Sequence, residues 1–146
     1  MVDKKTDEER LRQKLESIER LFAGATTPGE RIAAGVALKK IKKRLQEIQK
    51  NDRPIEYKFT MNDMWSRKLL VALMRRYGIS PYRYYRQRYT TVMARVPKQF
   101  VEEILWPEFT ELNEVLRAYL DETTNRIISK NIFSDSSEAV VVRELG

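Results

Sequence analysis

Three observations predict an α+β fold. Apolar residues recur at helical spacing through residues 1–50, a strictly alternating stretch follows Pro54, and helical spacing returns after Pro97. The expected architecture is an N-terminal antiparallel helical hairpin, then a small β-α-β-β-α unit whose sheet is covered by helices on one face. Residues 1–50 make the hairpin, and 54–146 a small α+β domain ending in a long helix and short tail. The alternative is one continuous domain.

The first helix runs from about Asp7 to Ala23, with Leu11, Leu15, Ile18 and Phe22 on one stripe and Gly24 as its stop. Thr27-Pro28-Gly29-Glu30 fits a capping box with proline at the first helical position. A second helix continues to about Gln49, with Ala34, Leu38, Ile41, Leu45 and Ile48 on its inner stripe. So short a link favours antiparallel pairing. Ile55, Tyr57 and Phe59 alternate with Glu56, Lys58 and Thr60, the pattern of a half-buried strand. Asn62 caps a third helix, Asp63 to Tyr77, with Trp65, Leu69, Ala72 and Leu73 inside and Gly78 as its stop.

The Tyr-Arg segment from Pro81 and the following "TTVMARV" read as two strands of a hairpin turning near Tyr89. Val92, Ala94 and Val96 make the core face of the second, leaving Thr91, Met93 and Arg95 opposite. Pro97 opens the next helix, and Pro107 either kinks it or starts another. Phe109, Leu112, Leu116 and Tyr119 carry a long helix to about Asn131, with Trp65, Trp106 and Phe109 as core anchors. Ala139 to Val142 form a short apolar run suited to an edge strand or a docking tail.

"IERLFAGATTPGERIAAGVALKKIKKRL", about residues 17–45, resembles the TPGE-type helical-hairpin domain of unknown function found in bacterial and phage proteins. Ala33, Ala34 and Ala37 match its small-residue face and Glu30 its acid. The resemblance implies a helical hairpin and a bacterial, cytoplasmic origin. It transfers no functional residue.

Composition narrows the chemistry. With no Cys and no His among 146 residues, the chain has no disulfide, no thiolate metal site and no histidine-based catalytic triad. No Gly-rich phosphate loop appears, so the expectation is a protein that is not an enzyme, with no cofactor and no metal. Apolar runs are too short to span a membrane, and "MVDKKTDEER" lacks the apolar core of a secretory signal, so the expected location is cytoplasmic.

Net charge is +7, and it is concentrated. Residues 64–101 carry nine basic side chains and no acid, whereas residues 102–146 carry ten acids and four bases. That distribution points to an anionic partner for the middle of the chain. The candidate binding residues are Arg83, Arg86, Arg88 and Arg95, which hold phosphates, and Tyr82, Tyr84 and Tyr85, which stack on or wedge between bases. A second basic patch, Lys39, Lys40, Lys42, Lys43 and Arg44, adds sequence-independent attraction. Read separately, Arg67, Lys68, Arg75 and Arg76 suit the charged outer face of a core helix. The glutamates at 102, 103, 108, 111 and 114 suit a solvated helix face.

The sequence thus predicts a non-enzymatic protein binding RNA or DNA through an Arg/Tyr-rich hairpin and a Lys-rich helix face. The alternative is a protein-interaction or assembly module, including self-association, that uses the same Tyr/Arg surface and the helical hairpin. The two patches act as one surface only if the fold places them on one face.

Overall fold

The computed structural model describes residues 4–23 and 28–143. Its elements in chain order are α1 (Lys4–Ala23), α2 (Pro28–Asn51), β1 (Ile55–Thr60), α3 (Met64–Arg76), β2 (Thr91–Val96), α4 (Lys98–Phe100), a π-helical turn (Val101–Leu105) and α5 (Trp106–Asn131). Gly24 and Thr27, and with them the capping box, lie outside the described residues. Two compact units divide the chain, Met1–Asn113 and Glu114–Gly146.

In the first unit, β1 and β2 form a two-stranded antiparallel sheet with Ile55 opposite Val96 and Thr60 opposite Thr91. The pairing puts Tyr57 across from Ala94 and Phe59 across from Val92, so these side chains share one face. That face joins a core with Leu45 and Ile48 of α2, Leu70, Leu73 and Met74 of α3, and Phe100, Leu105, Phe109 and Leu112. The inner stripe of α2 is therefore buried toward its C-terminal end, against the sheet and the helices around it. Leu70 and Phe100 are fully buried, and each such side chain stabilises the fold by about 1.5–3 kcal/mol.

Fold class agrees with the sequence, as mixed helix and strand, but the expected β-β hairpin is absent. Residues 81–90 contain no strand, only a single bridge between Tyr82 and Met93. β2 instead pairs with β1, across α3. The reason is that β2 has two edges to satisfy: β1 takes one, and Tyr82 takes the other with paired backbone bonds of 2.9 and 2.8 Å.

α3 is turned relative to its expected face. Asp63, not Asn62, caps it, its Oδ1 accepting from the Ser66 amide at 2.7 Å. The buried residues are Ser66, Leu70, Leu73 and Met74, while Trp65 stays 53% exposed under the ammonium of Lys68. Trp106 is also partly exposed and stacks between Phe59 and Phe109, so only Phe109 of the three expected anchors is buried. At the other end of α3, Gly78 (φ +79°) donates to Arg75 O and Ile79 to Met74 O, the two bonds of a Schellman stop.

Helical structure continues from Lys98 through Asn131 despite Pro107. The turn just before the proline widens, with Trp106 N donating to Val101 O. A π-turn there relieves the crowding that the proline ring would impose on the carbonyl four residues back, and α5 proceeds without a break.

The second unit is the C-terminal part of α5 and the chain beyond it. Ile132 and Phe133 amides both donate to Ile128 O and close the helix. Residues 139–142, expected as an edge strand or docking tail, have no regular structure, and Val140, Val141 and Val142 are exposed.

Candidate anion-binding surface

The Tyr-Arg segment is a tethered loop laid over the second face of the sheet. That face carries Glu56, Lys58 and Thr60 of β1 opposite Arg95, Met93 and Thr91 of β2. Thr91 and Met93 are nonetheless buried, and Met93 lies outside the main core, because the loop covers them. Gln87 Nε2 donates to Met93 Sδ at 3.5 Å. The hydroxyls of Tyr82 (2.5 Å) and Tyr84 both donate to the same oxygen of Glu56, and their rings meet edge to face at 5.6 Å.

These bonds shift the groups involved. Donation from Tyr82, then from Tyr84, with the nearby charge of Arg95, holds the Glu56 carboxyl below its ordinary range. The bond to Glu56 pushes both phenols up. Glu56 was not singled out by sequence reasoning, yet it is the anchor of the loop. Its signal is only that it is the one acid in "IEYKFT".

Beyond Tyr84 the loop turns back on itself. Gln87 N donates to Tyr84 O at 3.2 Å, and Tyr84 N donates to the Gln87 side chain at 2.8 Å. Arg86, third residue of that turn, has φ 70°, a conformation that glycine or asparagine adopts more readily. The tip presents Tyr85, 90% exposed, with the Arg86 guanidinium 5.5 Å from its ring. Arg88 is exposed on the same loop, and its carbonyl accepts from Thr91 N as the chain enters β2.

The loop, α3 and the start of β2 enclose a cleft of about 200 Å³ lined by Arg67, Val71, Arg75, Pro81, Tyr82, Arg83, Thr91 and Val92. Arg67, Val71 and Arg75 are four residues apart and so share one face of α3. Arg83 comes from the loop. The ring of Tyr89 lies 4.3 Å from the Arg67 guanidinium and 5.2 Å from that of Arg83, which organises both. No carboxylate lines the cleft, and Arg67 Nε is buried without a hydrogen-bond partner. Among the described residues none of the three arginines makes a salt bridge.

The fold therefore distributes the sequence's candidates in three ways. Arg83 lines the cleft, with Arg86, Arg88 and Tyr85 exposed on the same loop. Tyr82 and Tyr84 commit their hydroxyls to Glu56, and Arg95 stands beside that carboxylate across the strand pair. None of the α2 patch lines the cleft, and α2 packs Leu45 and Ile48 into the core that contains Val92. Lys39, Lys40, Lys42 and Lys43 are exposed on that helix, and Arg44 is clamped by both oxygens of Glu103 at 3.1 Å. Arg67, Arg75 and Tyr89 join the site instead, the two arginines signalled only by their spacing on α3 and Tyr89 by its place in the Tyr-Arg segment.

A second cleft, of about 450 Å³, runs along Ile41, Glu103, Ile104, Pro107, Glu108 and Glu111. Two of its acids are engaged, Glu103 by Arg44 and Glu108 by the hydroxyl of Tyr77. Among the described residues there is no group of three or more side chains able to hold a metal ion, and no helix long and apolar enough to cross a membrane. Compared with protein-family models, curated proteins and solved structures, the chain finds no match.

Proposed function

We propose that this chain is a non-enzymatic protein that binds a nucleic acid, RNA or DNA, through the α3 and Tyr-Arg loop face. The observation that carries this reading is the cleft in which Arg67, Arg75 and Arg83 converge with no carboxylate to neutralise them. Three permanent charges held together without a counter-ion repel one another, and an anionic occupant relieves that cost. Tyr85, projecting beside Arg86, supplies a ring face on which an unpaired base can stack. The bacterial, cytoplasmic setting implied by the hairpin resemblance belongs to the same reading.

The α2 lysines, Lys39, Lys40, Lys42 and Lys43, do not line the cleft and in this reading add sequence-independent attraction. Titrating labelled single-stranded RNA and DNA with the protein at increasing salt tests the proposal. Affinity should fall steeply, with a log–log slope of about −0.7 for each phosphate neutralised. No binding to any strand at low salt would remove the proposal.

A protein-interaction module remains the second reading, favoured by Ile32 and Val36, 71% and 49% exposed on α2. It calls for self-association visible as a concentration-dependent mass in light scattering, and for binding that survives high salt.

A further inference from the structure

Resting on the nucleic-acid reading, we propose that the Arg67–Arg75–Arg83 cleft is a socket for a terminal phosphate, a phosphate monoester at a strand end, rather than for the diesters within a strand. Charge is the first reason. A diester carries one negative charge, whereas a monoester carries about −1.5 to −2 at neutral pH and offers three terminal oxygens. Three guanidiniums around one cleft match the monoester better in both charge and donor number.

Size is the second. At about 200 Å³ the cleft is small beside the roughly 300–1,000 Å³ of ordinary small-molecule pockets, a size that suits a phosphate with the rest of its ligand lying outside.

Preorganisation is the third. Tyr89 holds two of the three guanidiniums before any ligand arrives, which lowers the entropy lost on binding. Tyr82 contributes a wall and not a donor, since its hydroxyl is turned to Glu56. The buried Nε of Arg67 marks a pocket short of acceptors, as a site awaiting an oxyanion is.

The experiment compares four probes on the intact protein: one single strand ending in hydroxyls, the same strand with a 5′-phosphate, the same strand with a 3′-phosphate, and a nucleoside monophosphate. At least one phosphorylated strand should bind about tenfold more tightly than the hydroxyl-ended strand. That preference should shrink as pH falls through about 6, where the monoester takes up its second proton. Arg75→Gln, on the exposed side of α3, and Arg83→Gln, on the loop, should each erase the preference, while Arg88→Gln should weaken all strands alike.

Equal binding of phosphorylated and hydroxyl-ended strands overturns the socket and leaves the nucleic-acid reading standing. Binding of the monophosphate with Arg75 dependence, but of no strand, keeps the socket and overturns the nucleic-acid reading. A preference that survives both Arg75→Gln and Arg83→Gln places the phosphate elsewhere and ends the proposal.

Discussion

The Tyr82 hydroxyl donates to Glu56 Oε2 at 2.5 Å, and Tyr84 shares that oxygen, so one carboxylate on β1 tethers a loop that begins 25 residues later. The strongest acid-free segment of the chain is thus held down by an acid outside it. Among the described residues Arg67, Arg75 and Arg83 of that segment make no salt bridge, while its first tyrosines are used for anchorage.

The tether predicts an acid-sensitive loop. Glu56 has a depressed pKa in the folded protein, so its contribution is present above the carboxylate's unfolded value and is lost as pH falls through the lower folded one. Glu103, lowered chiefly by its bond from Arg44, behaves in the same direction. Between about pH 6 and pH 2, the urea midpoint of Glu56→Gln should fall less than that of the wild-type chain. Parallel curves for the two proteins would show that the tether contributes nothing.

Alkali should act through the partner phenols. Tyr77, Tyr82 and Tyr84 all have raised pKa values, Tyr77 chiefly through burial and the other two chiefly through Glu56. A phenol whose folded pKa is raised stabilises the fold fully below the unfolded value, near pH 10, and less as pH rises beyond it. Ultraviolet titration of the seven tyrosines should therefore show a late-ionising group that includes these three and titrates together with unfolding. A single normal transition for all seven would contradict it.

Two left-handed residues give opposite expectations. Gly78→Ala should cost about 1 kcal/mol, from backbone strain alone, since nothing lies within 4 Å of the added Cβ. Arg86→Gly should leave stability within about 0.5 kcal/mol of wild type, or raise it, because glycine accepts φ 70° without strain. The same Arg86→Gly change should weaken oligonucleotide binding. Chemical denaturation of both variants, with a binding titration of the second, checks all three statements.

The two basic patches should separate in function. Arg44 is bound bidentately to Glu103, but both side chains are about two-fifths exposed and screened by solvent, so Arg44→Ala should leave the urea midpoint close to that of wild type. Replacing Lys39, Lys40, Lys42 and Lys43 together by Gln should reduce oligonucleotide affinity less than Arg83→Gln alone does. The reverse order would put the binding surface on α2.

How far the sequence reveals this arrangement depends on the element. β1 is legible to the residue because Ile55, Tyr57 and Phe59 alternate cleanly with polar neighbours. The Tyr-Arg segment also alternates, yet it is a loop: long-range bonds to Glu56 and the bend at Arg86 override a period that local sequence shares with strands. The face of α3 is ambiguous because Leu69, Leu70, Val71, Ala72, Leu73 and Met74 are apolar nearly all the way round, and only packing selects Leu70, Leu73 and Met74. Arg83, Arg86 and Arg88 are visible as candidates from charge alone. Arg67 and Arg75 read as a solvated helix face until α3 is seen to stand opposite the loop.

The proposed role of the α3 and loop arginines is to bind nucleic acid together. It is tested most directly by the anisotropy of a labelled single strand at low salt, titrated with wild-type protein and with Arg67→Gln/Arg75→Gln/Arg83→Gln, both verified as folded by circular dichroism. Wild type should bind with a steep salt dependence, and the folded triple variant should bind at least about tenfold more weakly. Equal affinity of the two folded proteins, or no binding by wild type, would contradict the account.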